Sequence, residues 1–268
     1  MSELSAAERA EILEEARAAA LAAGKLLMEH FGRLSAGQVG HKGVERDLVT
    51  AADLDAERAI VARLRERFPG HAIEAEEETH ERSSTATLRW FVDPLDGTVN
   101  FVHALPMFAV SIALYDGEIP EVAVIHAPRL GETFWATREG SAFLDGRRIE
   151  VSRTARLGEA ILATGFPYRR NELANSNLEN FNAFFYHVRG LRRMGSAALD
   201  LAYVAAGRLD GFWELHLAPH DVAAGALLVR EAGGIVRDAN GGEDWLRGGH
   251  IVAAGEGLFE LIRSRLQV

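Results

Sequence analysis

Three acidic clusters carry the chemistry that this chain of 268 residues could perform. Asp93-Pro94-Leu95-Asp96-Gly97-Thr98 follows the apolar run Trp90-Phe91-Val92, Glu76-Glu77-Glu78 follows a short apolar run, and His220-Asp221 heads a helical stretch. Each also has an ordinary structural explanation. A Glu run is commonly a solvated loop, Asp-Pro and Asp-Gly are turn dipeptides, and an Asp before Val222-Ala223-Ala224 makes a good N-cap. The central cluster fits that explanation least well. Asp93 closes an apolar strand and Asp96 is expected to open the next element, so both carboxylates can face one point, with the Leu95 carbonyl between them. Carboxylates plus a carbonyl, with no His or Cys beside them, are hard oxygen donors suited to Mg²⁺ or Mn²⁺ rather than Zn²⁺. A carboxylate bridging two such ions is the basis of two-metal hydrolysis.

Two Gly-led segments complement these acids. Gly97-Thr98 and Gly195-Ser196-Ala197 each stand at the head of a helix, where backbone N–H groups bind phosphate. Cation-holding acids beside two anion cradles point to phosphate-ester chemistry.

The elements that must position these residues follow from periodicity. Apolar residues from Leu4 to Phe31 recur at helical spacing up to Gly32, and Thr50-Ala51-Ala52-Asp53 has capping-box form ahead of a second helix ended by Pro69-Gly70. The residues between these helices, up to Asp47, read as a polar loop. Strand-like runs at Leu88 to Val92, Met107 to Tyr115, Glu121 to His126 and Thr133 to Thr137, with turns at Asp116-Gly117 and Asp145-Gly146, predict an antiparallel sheet. Beyond about residue 152, strands (160–164, 189–193, 211–215, 234–237, 251–254) alternate with helices (171–186, 197–206, 222–232 and a last one to Leu266). That alternation indicates an α/β half. The chain is therefore expected to divide into an α+β part, 1–152, carrying the first metal motifs, and an α/β part, 153–268, carrying the substrate contacts and the last acidic motif.

Composition narrows the function classes. With 29 basic against 39 acidic residues the net charge is −10, so no sequence-independent grip on nucleic acid or anionic lipid is expected. There is no Cys, which excludes disulfides, thiolate metal sites and Cys nucleophiles. The Glu-rich first 20 residues do not resemble a secretory signal, and no apolar run approaches a membrane span, so a soluble cytoplasmic protein is expected. Only two of the 29 basic residues are Lys, Lys25 and Lys42. Against so strong a preference for Arg, a Lys marks either a site needing a compact point charge or chance retention on the surface.

The central motif Trp90-Phe91-Val92-Asp93-Pro94-Leu95-Asp96-Gly97-Thr98-Val99-Asn100-Phe101 resembles that of the inositol monophosphatase family. Asp47-Leu48-Val49-Thr50-Ala51-Ala52-Asp53, His71-Ala72-Ile73-Glu74-Ala75-Glu76-Glu77 and His220-Asp221-Val222-Ala223-Ala224-Gly225 resemble its other motifs, in the same order and over roughly residues 40 to 255. The resemblance implies a layered αβαβα sandwich of the inositol monophosphatase and fructose-1,6-bisphosphatase type, a homodimer, and a lithium-sensitive, Mg²⁺-dependent phosphatase with two to three ions per site, Mn²⁺ being possible in their place. It implies that Glu76, Asp93, the Leu95 carbonyl, Asp96 and Asp221 hold the metals, Asp93 bridging two, and that a metal-bound water is the nucleophile. Thr98 would orient that water with Asp53 behind it, although spacing alone makes Asp53 the third residue of a capping box. Lys42 would associate with Glu77 and the metal site, and Gly97 and Thr98 would lie at the phosphate. Gly195, Ser196, Ala197 and Glu214 would contact the hydroxyls of the substrate, together with Asp96 and Asp221.

One departure stands at the site edge: the family has Trp before the C-terminal Asp, whereas this chain has His220, with His216 nearby. Pro219 argues against a regular helix there, and so against a zinc-binding pair, leaving His220 as a substrate contact or a surface residue. The implied reaction is hydrolysis of a small polyol phosphate, with inositol 1-phosphate leading. Histidinol phosphate, fructose 1,6-bisphosphate and a 3′(2′),5′-bisphosphate nucleotide are the rivals. Glu214 favours a polyol, and no aromatic platform for a base is evident in the sequence. A regulatory protein of the transcription machinery is the alternative from another class.

Overall fold

The computed structural model describes residues 4–34, 36–42, 44, 47–81 and 85–268. Helix α1 (Ala6–His30) opens on the Ser5 capping box with Glu8, and α2 (Ala51–Arg67) on the box formed by Thr50 and Asp53. Between them, where a polar loop was expected, β1 (Val39–His41) and β2 (Leu48–Thr50) pair antiparallel; residues 35, 43, 45 and 46 of that stretch lie outside the described residues. A seven-stranded sheet follows in the order β3 (Ala72–Ala75), β4 (Leu88–Asp96), β5 (Ala109–Asp116), β6 (Ile119–Ala127), β7 (Glu132–Thr137), β8 (Ala142–Leu144) and β9 (Arg147–Ile149). All its pairs are antiparallel except β3–β4. The short helix α3 (Thr98–Val102) leaves the end of β4.

A five-stranded mixed sheet forms the rest. Its elements in chain order are β10 (Ile161–Thr164), α4 (Leu178–Phe185), β11 (Gly190–Arg192), α5 (Ala197–Ala205), β12 (Gly211–Leu215), α6 (Pro219–Glu231), β13 (Ile235–Arg237), β14 (His250–Ala254) and α7 (Glu256–Arg263). The spatial strand order is β11-β10-β12-β14-β13. Helix α4 is shorter than the periodicity suggested, because Asn177 just before it takes a left-handed backbone (φ 71°) that a helix cannot continue through.

Strand alternation generates the layers. Trp90, Val92, Val110, Ile112, Val122 and Val124 point into one core with α1 and α2. Their neighbours Phe91, Ala109, Ala113, Ala123 and Ile125 point the other way, onto α5 and α6, which also cover Phe212, Ile251 and Ala253 of the second sheet. Trp213, Val252 and Ala254 then bury the far face of that sheet under Leu258, Phe259 and Ile262 of α7. The result is a five-layer αβαβα sandwich with α5 and α6 as its middle layer.

That middle layer is tightly packed. A Cβ on Gly225 of α6 would collide with Leu201 of α5. Gly225 lies one helical turn after Asp221, so this close approach sets where Asp221 stands relative to the α5 N-terminus. Gly225→Ala gains about 1 kcal/mol of helix propensity but overpacks the α5–α6 contact, and a net loss of about 1–3 kcal/mol is expected. Urea denaturation measures it, and a variant at least as stable as the parent would show that the contact is not limiting.

Candidate active site

Asp93 and Asp96 are three positions apart, so in an unbroken strand their side chains would leave opposite faces. The pairing of β4 with β5 slips by one residue between them, Asp93 lying opposite Ser111 and Asp96 opposite Ala109. This bulge, which contains Pro94, re-aims the side chains. Asp96 is thus the last residue of β4 rather than the opening of the next element. Asp221 arrives from the first turn of α6, and oxygens of Asp93, Asp96 and Asp221 all lie within 4.8 Å of one another. Helix α6 begins at Pro219, three residues earlier than expected, because a missing N–H is no loss in a first turn. Asp221 is therefore not the N-cap. It stands at the third helical position, and its carboxylate accepts the Ala218 N–H at 2.6 Å.

The electrostatics of this group are severe. Burial, and then the charges of Glu76, Asp96 and Asp221, push the Asp93 carboxyl far above its usual range. Burial and Asp221 push Asp96 up to about 7, despite hydrogen bonds to its Oδ2 from Ser196 Oγ (2.6 Å) and Ala198 N–H (2.7 Å). Burial raises Asp221 too, with His220 opposing it. The α5 N-terminus is thus not the open anion cradle that the sequence suggested: the anion seated on Ser196 and Ala198 is the carboxylate of Asp96.

The paired glutamates follow β3, a strand the sequence showed only as a short apolar run. Lys42 Nζ donates to Glu76 Oε1 at 2.7 Å and Glu77 Oε1 at 2.5 Å. Burial works against the Lys42 charge, but Glu76 and Glu77 outweigh it and hold the ammonium above its ordinary pKa. Glu76 is likewise disfavoured by burial, yet His220 and Lys42 hold it below the usual carboxylate value. Glu77 is pushed up to about 8 by burial and by Glu76.

Both readings of Asp53 coexist, on different oxygens. Its Oδ2 accepts the Thr50 N–H (2.9 Å) and hydroxyl (2.5 Å), completing the cap of α2, while its Oδ1 lies 3.2 Å from Thr98 Oγ1. The Thr98 hydroxyl also lies 3.1 Å from the Leu95 carbonyl. Burial lifts Asp53 to about 6. Gly97, with φ 92°, is required at this turn, since a Cβ there would stand 2.8 Å from the Met107 carbonyl.

A cavity of about 650 Å³ opens above these groups, with Glu76, Asp96 and Asp221 on its floor. Gly195, Ser196, Ala197 and Glu214 form one wall. The Glu214 carboxylate, raised to about 8 chiefly by burial, lies flat against Gly165, where any Cβ would collide with it. Phe166 and Tyr168 also line the cavity, two aromatic residues that the sequence did not mark as a platform. Asp47 and Arg193 also reach the cavity, Arg193 opposing the rise of Glu214. In sequence Tyr168 and Arg193 gave little warning: they sit in an aromatic loop and a basic run that carry no spacing signal, and only tertiary folding brings them together. His220 is buried at the cavity edge with its Nε2 3.9 Å from Asp221 Oδ1, whereas His216, which also lines the cavity, meets His250 edge to face and the Asn175 carbonyl through its Nε2. The two imidazoles do not form a metal pair.

Three clustered carboxylates, raised by burial and by one another, need a cation to remain ionised together, and an all-oxygen donor set fits a hard divalent ion. Among the described residues, no other group of His, Asp or Glu converges in this way.

The inositol monophosphatase family profile matches residues 8–267. The chain is 46% identical over 261 residues to the Nus factor SuhB of Pseudomonas aeruginosa, covering 96% of each chain. It is 44% identical over 239 residues to the inositol-1-monophosphatase of Mesorhizobium japonicum, covering 89% of each. The solved extragenic suppressor protein suhB from Bartonella henselae superposes with a TM-score of 0.90 at 40% identity, over 96% of this chain and 98% of that one. The layered fold and this similarity along almost the whole chain agree: the protein is a member of the inositol monophosphatase family.

Proposed function

We propose that the chain is a Mg²⁺-dependent phosphomonoesterase that hydrolyses a small polyol phosphate, inositol 1-phosphate first among them. The observation that carries this reading is the convergence of Asp93, Asp96 and Asp221, the last two reaching a cavity that Glu214 and the Gly195–Ala197 turn also line. Those three carboxylates, with Glu76 and the Leu95 carbonyl, would hold the metal. When bound, divalent ions supply the positive charge that offsets the phosphoryl oxygens and acidify a water.

The chain's own residues do the rest. Asp53 is largely ionised at neutral pH, so Thr98 Oγ1 can take a hydrogen from water as its own passes to Asp53 Oδ1. Lys42 holds Glu76 and Glu77 against their mutual repulsion. Ser196 and Ala198 fix the rotamer of Asp96. Glu214, protonated over much of the neutral range, can donate to a substrate hydroxyl. Phe166 and Tyr168 keep an imidazole or a base in contention as the organic part. We read 1–152 as one subdomain and 153–268 as the other, supported by two sheets that exchange no strand, so that the site spans their seam. Lithium sensitivity and a homodimer are expected on family grounds.

A second reading, a role on the transcription machinery, draws on the Nus-factor name of the 46% relative. The two readings are compatible, because a docking role does not need the carboxylates.

Phosphate release with Mg²⁺ from inositol 1-phosphate, histidinol phosphate, fructose 1,6-bisphosphate and adenosine 3′,5′-bisphosphate should give the highest kcat/KM for inositol 1-phosphate. Asp93→Asn should lose about 10³-fold or more, the scale of losing a principal electrostatic stabiliser. Wild-type turnover in that variant would sink the assignment.

Stability should depend on pH in a defined direction. Asp96 at about 7 and Glu77 and Glu214 at about 8 lie above their unfolded values near 4, so the stability they confer is complete below pH 4 and lost as pH rises through 7–8. In EDTA the Tm should therefore fall between pH 6 and pH 8.5. Mg²⁺ at 100 times its Kd should restore about 2.7 kcal/mol at pH 8. A Tm indifferent to Mg²⁺ in thermal denaturation would count against the metal centre.

A further inference from the structure

Glu57 lies outside every motif singled out in the sequence, yet it is a buried carboxylate on α2, 1% exposed, with no basic side chain bonded to it among the described residues. Its partners are three consecutive backbone amides. Oε2 accepts the Glu77 N–H at 2.7 Å, and Oε1 accepts the N–H groups of Glu78 at 2.9 Å and Thr79 at 2.8 Å. Consecutive amides converging on one point make an anion-binding nest, and here the anion comes from the chain itself. The turn so held begins where the Glu76 N–H meets the Val92 carbonyl (3.1 Å) and closes where the Ala75 N–H meets the Thr79 carbonyl (2.7 Å).

Asp53 and Glu57 are four residues apart, on one face of α2. Asp53 reaches the 95–98 segment through Thr98, and Glu57 holds the 76–79 turn. We propose that Glu57 is a positioning residue: through α2 it fixes the Glu76-Glu77 turn relative to Asp93 and Asp96, and so sets the affinity of the site for divalent cations. This inference rests on the metal-dependent reading above. Losing the carboxylate leaves three amides short of an acceptor, lets the turn re-orient, and moves Glu76 and the Lys42 clamp with it. Gln in its place keeps the shape but turns an NH₂ group towards an N–H. Polar partners that hold metal-ligand segments typically contribute 10–100-fold in metal affinity.

The test is Mn²⁺ binding by the full-length protein, followed through the electron paramagnetic resonance of free Mn²⁺ well below the Tm. Glu231→Gln serves as the matched control, because Glu231 likewise clamps a turn through two amides, Glu139 N–H (2.8 Å) and Ser141 N–H (3.0 Å), remote from the cavity. Glu57→Gln should bind Mn²⁺ about 10–100-fold more weakly, with Glu231→Gln unchanged. Wild-type affinity in Glu57→Gln, with a Tm loss like that of the control, overturns the proposal and leaves Glu57 as a turn clamp. If Glu57→Gln does not fold, Glu57→Asp, which keeps the charge but is one methylene short of the amides, takes its place with the same two outcomes. A parent protein that binds no Mn²⁺ overturns the metal reading itself and Glu57's role with it.

Discussion

The constraint on which this molecule turns is the repulsion among Asp93, Asp96 and Asp221, whose oxygens share a space less than 5 Å across, largely out of water. Among the described residues the nearby cations are drawn elsewhere: Lys42 is bonded to Glu76 and Glu77 and only then eases Asp221, and Arg193 acts on Glu214 and Asp200. Such a group relaxes by taking up protons, by admitting water or by binding a cation. The protein prevents relaxation by movement, because each carboxylate is tied to a different rigid element. Asp93 and Asp96 are held on either side of a β-bulge, Asp96 is further pinned by the α5 N-terminus, and Asp221 is fixed in the first turn of α6.

The layered fold supplies that rigidity. Two helices whose N-termini must meet at one point need close packing along their length, and Gly225 against Leu201 provides it. Small residues on the facing sheet, Ala109, Ala113 and Ala123, let the same helix pair lie close to β5 and β6. On the opposite side of that sheet, larger side chains such as Trp90 and Ile112 seat α1 and α2. The site therefore lies where the edges of three layers meet, and burial on both sheet faces offsets what the clustered charges cost.

Much of this was legible in the residues. The central motif as a set of hard oxygen donors could be read from residue type alone, and the capping box at Thr50 and the hairpin turns at Asp116-Gly117 and Asp145-Gly146 are local chemistry. What escaped had non-local causes. Strand β3 is four residues long and pairs parallel with β4, so no turn announces it. The bulge at Asp93–Asp96 shows itself only against the register of β5. By residue type Pro219 argues against a helix, but its missing N–H is no loss in a first turn, and there Asp221 accepts the Ala218 N–H. Tyr168, Arg193 and Glu57 gain their meaning from neighbours distant in sequence.

The same atoms recur as caps and as site groups. Asp53 caps α2 with one oxygen and meets Thr98 with the other; Ser196 caps α5 and orients Asp96; Asp221 closes the α6 turn while facing the acid cluster. An acid in a first helical turn interacts favourably with the helix dipole, which partly offsets its repulsion from the other carboxylates. A site built this way is ordered as soon as its helices are. The arrangement also ties stability to function, since removing a capping acid frays a helix and relaxes the charge cluster together, with opposite effects on folding. Activity, by contrast, can only fall when the group is displaced. Mutations here should therefore separate the two properties, with small changes in stability beside large losses of turnover.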